Sequence, residues 1–392
     1  MYGIIWTVVL VLNSFGWSDL SEPLDPLLFI FFVISIMLSF TLGCIFQSYY
    51  KIEKDQEILT AVNNRFAKKN NYVISTIFFI CLYSLNFIYA RDVPLISSLL
   101  FDSVSYIDFQ GIPTLGVFIT TATEVYGVTL IYQFVRHMSF QLGWQVLSIV
   151  ALYLLQLNRN ALMLFTIAFI IFYLCCHKVK VKTLIGAGVL GMVVLFLIGV
   201  LGNVRQLSEW NDSSYISQLA VINDKYPFWL PKQYIWAYIY IVSPIVNLNY
   251  NVVNHLYEVD STNLAITFIP DFIQKRISPD YSPQIILVRR YFNVSTVYAS
   301  CYKYGGILGI LLMQGLLMAE TLFVTYLCGA FRHRVVEKNV MLMMQVYFMI
   351  MTFFDNVFRF TGTILLIYYC VILLACPRIR IECFSILRGK RV

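Results

Sequence analysis

The run TLIGAGVLGMVVLFLIGVL, residues 183–201, contains no charged side chain. A helix rises about 1.5 Å per residue, so a run of this length matches the ~30 Å hydrocarbon core of a bilayer. A helix on the surface of a soluble domain needs a polar face, and this run has none. Working outward, apolar runs bounded by polar or Pro/Gly clusters recur near 2–17, 27–47, 72–90, 113–135, 142–157, 160–176, 305–329, 340–355 and 361–376, giving ten expected spans with the first. Of 392 residues, 59% are hydrophobic and 12% charged, with a mean hydropathy of +0.73, which excludes a soluble core-and-surface arrangement. The expected fold is an all-α polytopic integral membrane protein.

The net charge of +7 is first a topology signal, and nucleic acid is not an expected partner. Basic clusters at Lys51–Lys69, Arg136, Lys178–Lys182, Arg332–Lys338 and Arg378–Arg391 fall in alternate loops when both termini are cytoplasmic. Those segments hold 17 of the 28 Lys and Arg with 5 acids, against 11 with 14 acids outside, so the inner side is +12 and the outer side −3. Parity makes the run Tyr234 to Val246, 13 residues long and carrying Pro244, interfacial rather than spanning. The division that follows is a seven-helix bundle over 1–201, an external cap over 202–304, and three helices with a cytoplasmic tail over 305–392. No cleavable signal is evident at the first span, and the nine cysteines form no secreted disulfide framework.

Cations on the outer side run against the charge rule and call for a reason. Arg159 lies in Leu-Asn-Arg-Asn-Ala at the start of the sixth span, where the positive end of a helix suits an anion. Arg205 follows Gly202 at the end of the seventh span; Arg276, Arg289 and Arg290 lie in the cap. Converging arginines would grip a lipid diphosphate bidentately, whereas the bland alternative for each is snorkelling to lipid phosphates or pairing with a loop acid. Arg359 is expected to form a helical ion pair with Asp355, four residues earlier. Glu124 and Glu320 lie within spans, where a transporter would use them for protons, although a protonated or hydrogen-bonded state also accounts for them.

His255, Glu258, Asp260 and Asp271 are the cap's candidates for a general base. Glu258-Val-Asp260 is an acidic pair without a His or Cys ligand set, so neither a metal nor another cofactor is expected. No Walker loop, HExxH or GxSxG pattern occurs. Gly305 and Gly309, four residues apart, are expected to let helices pack closely. Trp229, Tyr234, Trp236, Tyr238 and Tyr240 are expected to lie against lipid headgroups.

Four short patterns carry a resemblance. They are Asn-Arg-Asn-Ala-Leu leading into an apolar helix (158–163), Gly-Asn-Val-Arg (202–205), Tyr-Ile-Val-Ser-Pro-Ile-Val-Asn-Leu (240–248), and Asn293-Val-Ser-Thr296 followed by Tyr304-Gly-Gly. In this order, over roughly residues 150–320, the chain resembles the Wzy-type O-antigen (oligosaccharide repeat unit) polymerases of Gram-negative bacteria.

The resemblance implies a GT-C-like membrane glycosyltransferase of the bacterial inner membrane, its active site periplasmic and its large external loop carrying short interfacial helices. It implies metal-independent, inverting transfer of a glycan from undecaprenyl diphosphate to a sugar hydroxyl of a second lipid-linked repeat unit. It also implies a chain-length regulator as partner, and lipopolysaccharide as the destination of the polysaccharide. Arg159 and Arg205 match the family's basic positions; Arg276, Arg289 and Arg290 join them by location. The alternatives are a lipid-linked oligosaccharide flippase, for which Glu124 and Glu320 would matter more, and an O-antigen ligase-like glycosyltransferase that differs only in its acceptor.

Overall fold

Where water is excluded, backbone N–H and C=O groups must be satisfied within the segment, and apolar runs become helices for that reason. The computed structural model describes residues 1–49, 72–101, 109, 111–113, 115–177, 180–205, 212–281, 285–330 and 335–359. Every named element among these residues is helical, and an isolated bridge joins Ser18 to Ile222. The helices are α1 (Tyr2–Ser14), α2 (Pro26–Tyr49), α3 (Tyr72–Ala90), α4 (Pro94–Phe101), α5 (Leu115–His137), α6 (Phe140–Leu155), α7 (Arg159–Cys176) and α8 (Val181–Arg205). After them come α9 (Ser214–Leu219), α10 (Tyr234–Val253), α11 (Ser261–Thr267), α12 (Asp271–Ile277), α13 (Ala299–Ala330), α14 (Val335–Met351) and a 3₁₀ turn, Val357–Arg359.

Among the described residues, four helices are long and apolar enough to cross a membrane: Pro26–Ile45, Tyr72–Ala90, Leu115–His137 and Ala299–Gly329. Their outer faces carry large apolar side chains without protein cover, such as Met37 at 65% and Ile88 at 69% exposure. A water-soluble surface does not present such contiguous apolar faces. Tyr2–Ser14, Phe140–Leu155, Asn160–Cys176 and Leu184–Leu197 are apolar but shorter. The span expected at 340–355 is a helix that ends at Met351. The run 361–376 and the basic stretches Lys51–Lys69 and Arg378–Arg391 lie outside the described residues.

The chain divides into two compact units by packing rather than by chain order. The first comprises Met1–Tyr49, Val179–Glu320 and Phe348–Phe360, so residues 202–304 belong with α1, α2 and α8. Its core centres on Trp6, which is fully buried and stacks on Phe32 at 4.3 Å. Trp6 Nε1 donates to Thr352 Oγ1 at 3.1 Å, and Val297 N donates to Thr352 O at 2.9 Å. The hydroxyls of Tyr2 and Tyr298 share a hydrogen bond of 2.6 Å, and Tyr298 donates onward to Gln314 Oε1 at 2.5 Å. A buried phenol or indole needs such a partner.

The second unit comprises Tyr50–Lys178, Thr321–Tyr347 and Thr361–Val392. Its central helix is α5, with 56% of its most apolar window buried, against 17% for the corresponding window of α2. Glu124 sits on α5, 8% exposed. In the same unit Tyr153 donates to Thr120 O at 2.7 Å and Asn339 Nδ2 to Tyr132 Oη at 3.0 Å.

The run around Tyr234 departs most from expectation. It is a helix of 20 residues with 13 buried, packed on α1 and α8, against the run of 13 expected from the sequence. Tyr238 is buried among protein, and half-buried Trp236 donates from Nε1 to Asn203 Oδ1 at 2.8 Å.

Helix α13 begins at Ala299, six residues before the expected start, and is interrupted at Gly306, where φ is 55° and ψ −143°. A Cβ at Gly309 would overlap the carbonyl of Cys301, so the close-packing role assigned to this glycine is real, but it serves the chain's own reversal. Only glycine holds the Gly306 conformation without strain, and the Tyr257 ring lies against it. Gly306→Ala is expected to destabilise the first unit by about 1–3 kcal/mol, seen as a lower thermal-unfolding midpoint of detergent-purified protein; an unchanged midpoint would refute the strained geometry.

Candidate functional site

Helix α10 organises the surroundings of the candidate residues. Residues 247 and 251 are four apart and share one helix face, while 249 points the opposite way. Asn247, Asn249 and Asn251 are all buried, and a buried amide is tolerated only when its donors and acceptor are matched. Asn247 Nδ2 donates to Phe292 O at 2.7 Å and Val294 O at 2.8 Å, and its Oδ1 accepts from Val288 N at 3.0 Å. Asn251 Nδ2 donates to Ile286 O at 2.6 Å and to Asn247 O at 2.8 Å, while its Oδ1 accepts from Ile286 N at 3.3 Å.

These two residues therefore clamp the backbone on both sides of the turn that displays Arg289 and Arg290. Phe292 N closes that turn on Arg289 O at 3.0 Å, and both arginine side chains are exposed. On the opposite face Asn249 accepts from Asp25 N at 2.8 Å and donates to Pro23 O at 3.0 Å. Asp25 in turn accepts from Leu27 N and Leu28 N at the start of α2.

Three of the four base candidates, His255, Glu258 and Asp260, lie on the connection leaving the C-terminus of α10. His255 has φ 51°, and Leu256 N bonds Asn251 O at 2.9 Å, which closes the helix with a left-handed residue. Its imidazole is exposed, as is the Glu258 side chain. This connection runs beside the start of α13: Glu258 N donates to Lys303 O at 2.8 Å and Asp260 N to Tyr304 O at 3.0 Å.

Asp260 is the N-cap of α11. Its Oδ1 accepts from Thr262 N at 2.9 Å and Asn263 N at 3.0 Å, and its Oδ2 accepts from Asn263 Nδ2 at 2.7 Å. These three hydrogen bonds make Asp260 the cap that fixes the start of α11. Asp271 opens α12, and Arg276 lies exposed in its last turn.

Beside this connection lies a polar turn that sequence reasoning treated as a helical ion pair. The helix stops at Met351, so Asp355 and Arg359 are joined by a turn and not by an i,i+4 register, although Arg359 still acts on the charge of Asp355. Asn356 is 3% exposed; its Nδ2 donates to Thr267 O at 3.5 Å, and its Oδ1 has no hydrogen-bond partner among the described residues. Thr267 Oγ1 also meets the Tyr281 hydroxyl at 2.8 Å. Burial pushes that phenol up to about 12, and the Thr267 hydrogen bond draws it partly back. Tyr281 lies against Tyr304 with ring centroids 5.6 Å apart, and Lys303 Nζ stands 5.1 Å from the centroid of the Tyr304 ring. Neither Asn356 nor the asparagines of α10 carry a charge, and although Asn247 falls within the pattern 240–248, residue type alone did not mark any of them as anchors.

Arg159 is the first residue of α7 and belongs to the second unit, while Arg205 ends α8 in the first. The turn before Arg159 is fixed from both sides. Leu157 is left-handed, with Asn158 N bonding Tyr153 O at 2.9 Å; Asn158 Oδ1 then caps α7 by accepting from Ala161 N at 3.1 Å. Tyr347 hydrogen-bonds both the backbone carbonyl of Asn160, at 3.2 Å, and its side-chain oxygen. Glu320 is half-buried on α13.

The fold and this surface define an all-helical protein with helices fitted to a bilayer. Comparisons with known protein families, curated proteins and solved structures found no match to the chain.

Proposed function

We propose that the protein is an O-antigen polymerase of the inner membrane, with about ten spans in a GT-C-like arrangement. It joins undecaprenyl-diphosphate-linked oligosaccharide repeat units on the periplasmic side by inverting, metal-independent transfer. The observation that carries the reading is the exposed Arg289–Arg290 pair, held on a turn that two buried asparagines fix. A diphosphate leaving group gains negative charge as the sugar–oxygen bond breaks, and guanidinium groups already in place stabilise that charge without reorganising. The sequence resemblance marks Arg159 and Arg205, at the ends of α7 and α8, for the same chemistry.

In this mechanism the acceptor hydroxyl oxygen attacks the anomeric carbon as the bond to the diphosphate oxygen breaks, and the electron pair leaves with the diphosphate. The proton passes to a base on the connection after α10, where His255 and Glu258 have free access to solvent and Asp260 positions α11.

The test is incubation of purified protein with defined lipid-linked repeat units, with and without a chelator, followed by gel separation. The expected product is a ladder of polymer lengths unaffected by chelation. No ladder from correctly folded protein would reject the reading, and a chelator-sensitive ladder would restore Glu258 and Asp260 as metal ligands. Repeat units accumulating on the inner leaflet of a deletion strain, rather than the outer, would instead favour a flippase.

A further inference from the structure

We infer that the turn Lys225–Lys232 is immersed in the membrane interface, with Phe228 and Trp229 among the lipid chains and the two lysines reaching the phosphates. This takes the headgroup contact expected of Trp229 below the phosphates and extends it to Phe228 and the two lysines, and it does not rest on the glycan-transfer reading.

The exposure is extreme and belongs to a rigid shape. Phe228 is 100% exposed and Trp229 71%, so this aromatic pair has almost no protein cover. The turn beneath them is stiffened by Pro227 and Pro231: Leu230 N donates to Pro227 O at 3.0 Å, Tyr234 N to Pro231 O at 3.1 Å, and the Tyr226 hydroxyl to Pro231 O at 2.9 Å. A floppy polar loop exposes what it has no means to bury; this turn is built to present an aromatic tip.

The depth follows from what the two residues directly after the turn, Gln233 and Tyr234, touch. The Tyr234 hydroxyl donates to Met192 O at 3.1 Å, and its ring lies 6.0 Å from that of Phe196. The backbone of Gln233 covers Gly199 so closely that a Cβ there would overlap it. Met192, Phe196 and Gly199 all lie inside the uncharged run 183–201. Measured along α8 from Leu201, Gly199 beside the Gln233 backbone is about 3 Å, Phe196 about 8 Å and Met192, reached by the Tyr234 hydroxyl, about 14 Å inside the run. The turn therefore stands beside the apolar part of α8, at the depth where amphipathic elements settle, about 5–10 Å into the headgroup–acyl boundary.

Charge agrees with that occupant. Lys225 and Lys232 bracket the aromatic tip and are exposed, with Asp224 one residue further out. Long cationic side chains place their stems along lipid and their ammonium groups at the phosphates, and Trp is enriched at this level because its ring is amphipathic.

The test uses the full chain in vesicles of phosphatidylcholine and phosphatidylglycerol. Subtracting the emission of a Trp229→Phe variant from that of the wild type isolates Trp229. Replacing the phosphatidylcholine by lipid brominated near the headgroup end of its chains is expected to quench that component roughly twofold, with weaker quenching from bromine deeper in the chains, as fits a boundary depth. Aqueous iodide is expected to quench it little. Phe228→Trp in the Trp229→Phe background provides a second reporter at the neighbouring position, should loss of Trp229 disturb the turn. Strong iodide quenching with no effect of brominated lipid would return the segment to an external cap. Insensitivity to both quenchers would mean that a protein partner covers the tip; either result overturns the inference.

Discussion

Alanine at Arg159 or at Arg205 is expected to cut polymer formation by about 10²- to 10³-fold, the loss typical when one preorganised donor to a developing oxyanion is removed. Protein abundance should not change if the two arginines act on substrate, because each stands at a helix end rather than inside an apolar span. Arg159→Lys separates two modes of recognition. Lysine keeps the positive charge at the N-terminus of α7 but loses the planar fork that meets two oxygens at once, so an intermediate rate is expected. The measurements are ladder length from purified protein and an immunoblot of the membrane fraction. Normal chain length in both alanine variants would remove the diphosphate clamp from the proposal. Loss of the protein itself would show instead that Asn158, Asn160 and their neighbours hold the turn only together with Arg159.

The sequence revealed the long helices because hydropathy and polar punctuation coincide there. Helix α3 runs from Tyr72 to Ala90, the expected limits, since Lys68-Lys69-Asn70-Asn71 precedes it and Arg91-Asp92 follows. The extent of α10 was hidden by the same logic. Its apolar run stops at Val246 because three asparagines follow within five residues, and an averaged hydropathy cannot distinguish an amide facing water from one bonded to a buried carbonyl. In the folded chain those asparagines are the best-satisfied groups of the helix. The expected pairing of Asp355 with Arg359 assumed that a helix continued past Met351, and spacing arguments fail wherever the element they assume has stopped. Gly305 and Gly309 were legible as close-packing positions; that Gly306 between them reverses the chain was not, since a φ of 55° has no compositional signature.

Asn247→Leu is expected to lower the stability of the first unit by about 3 kcal/mol or more. Leucine has the same number and branching of side-chain heavy atoms and is bulkier, so no cavity opens and the effect comes from stranded polar groups, with any overpacking adding to it. The substitution strands Phe292 O, Val294 O and Val288 N, and each unsatisfied buried group costs about 1–3 kcal/mol. The turn bearing Arg289 and Arg290 would lose its main anchor, so polymer formation per folded molecule should fall along with the unfolding midpoint. Asn249→Leu is the control that separates the two consequences. It strands Asp25 N and Pro23 O on the opposite face of the same helix and is expected to destabilise comparably, yet it leaves the arginine turn clamped. Thermal unfolding in detergent measures the first effect, and ladder formation normalised to folded protein measures the second. If Asn249→Leu abolishes polymer formation per folded molecule as fully as Asn247→Leu does, the integrity of α10 matters but the clamp on the arginine pair does not. If Asn247→Leu keeps wild-type stability and ladder length, the three hydrogen bonds do not hold that turn, and the arginine pair loses the rigidity on which its stabilisation of a departing diphosphate depends.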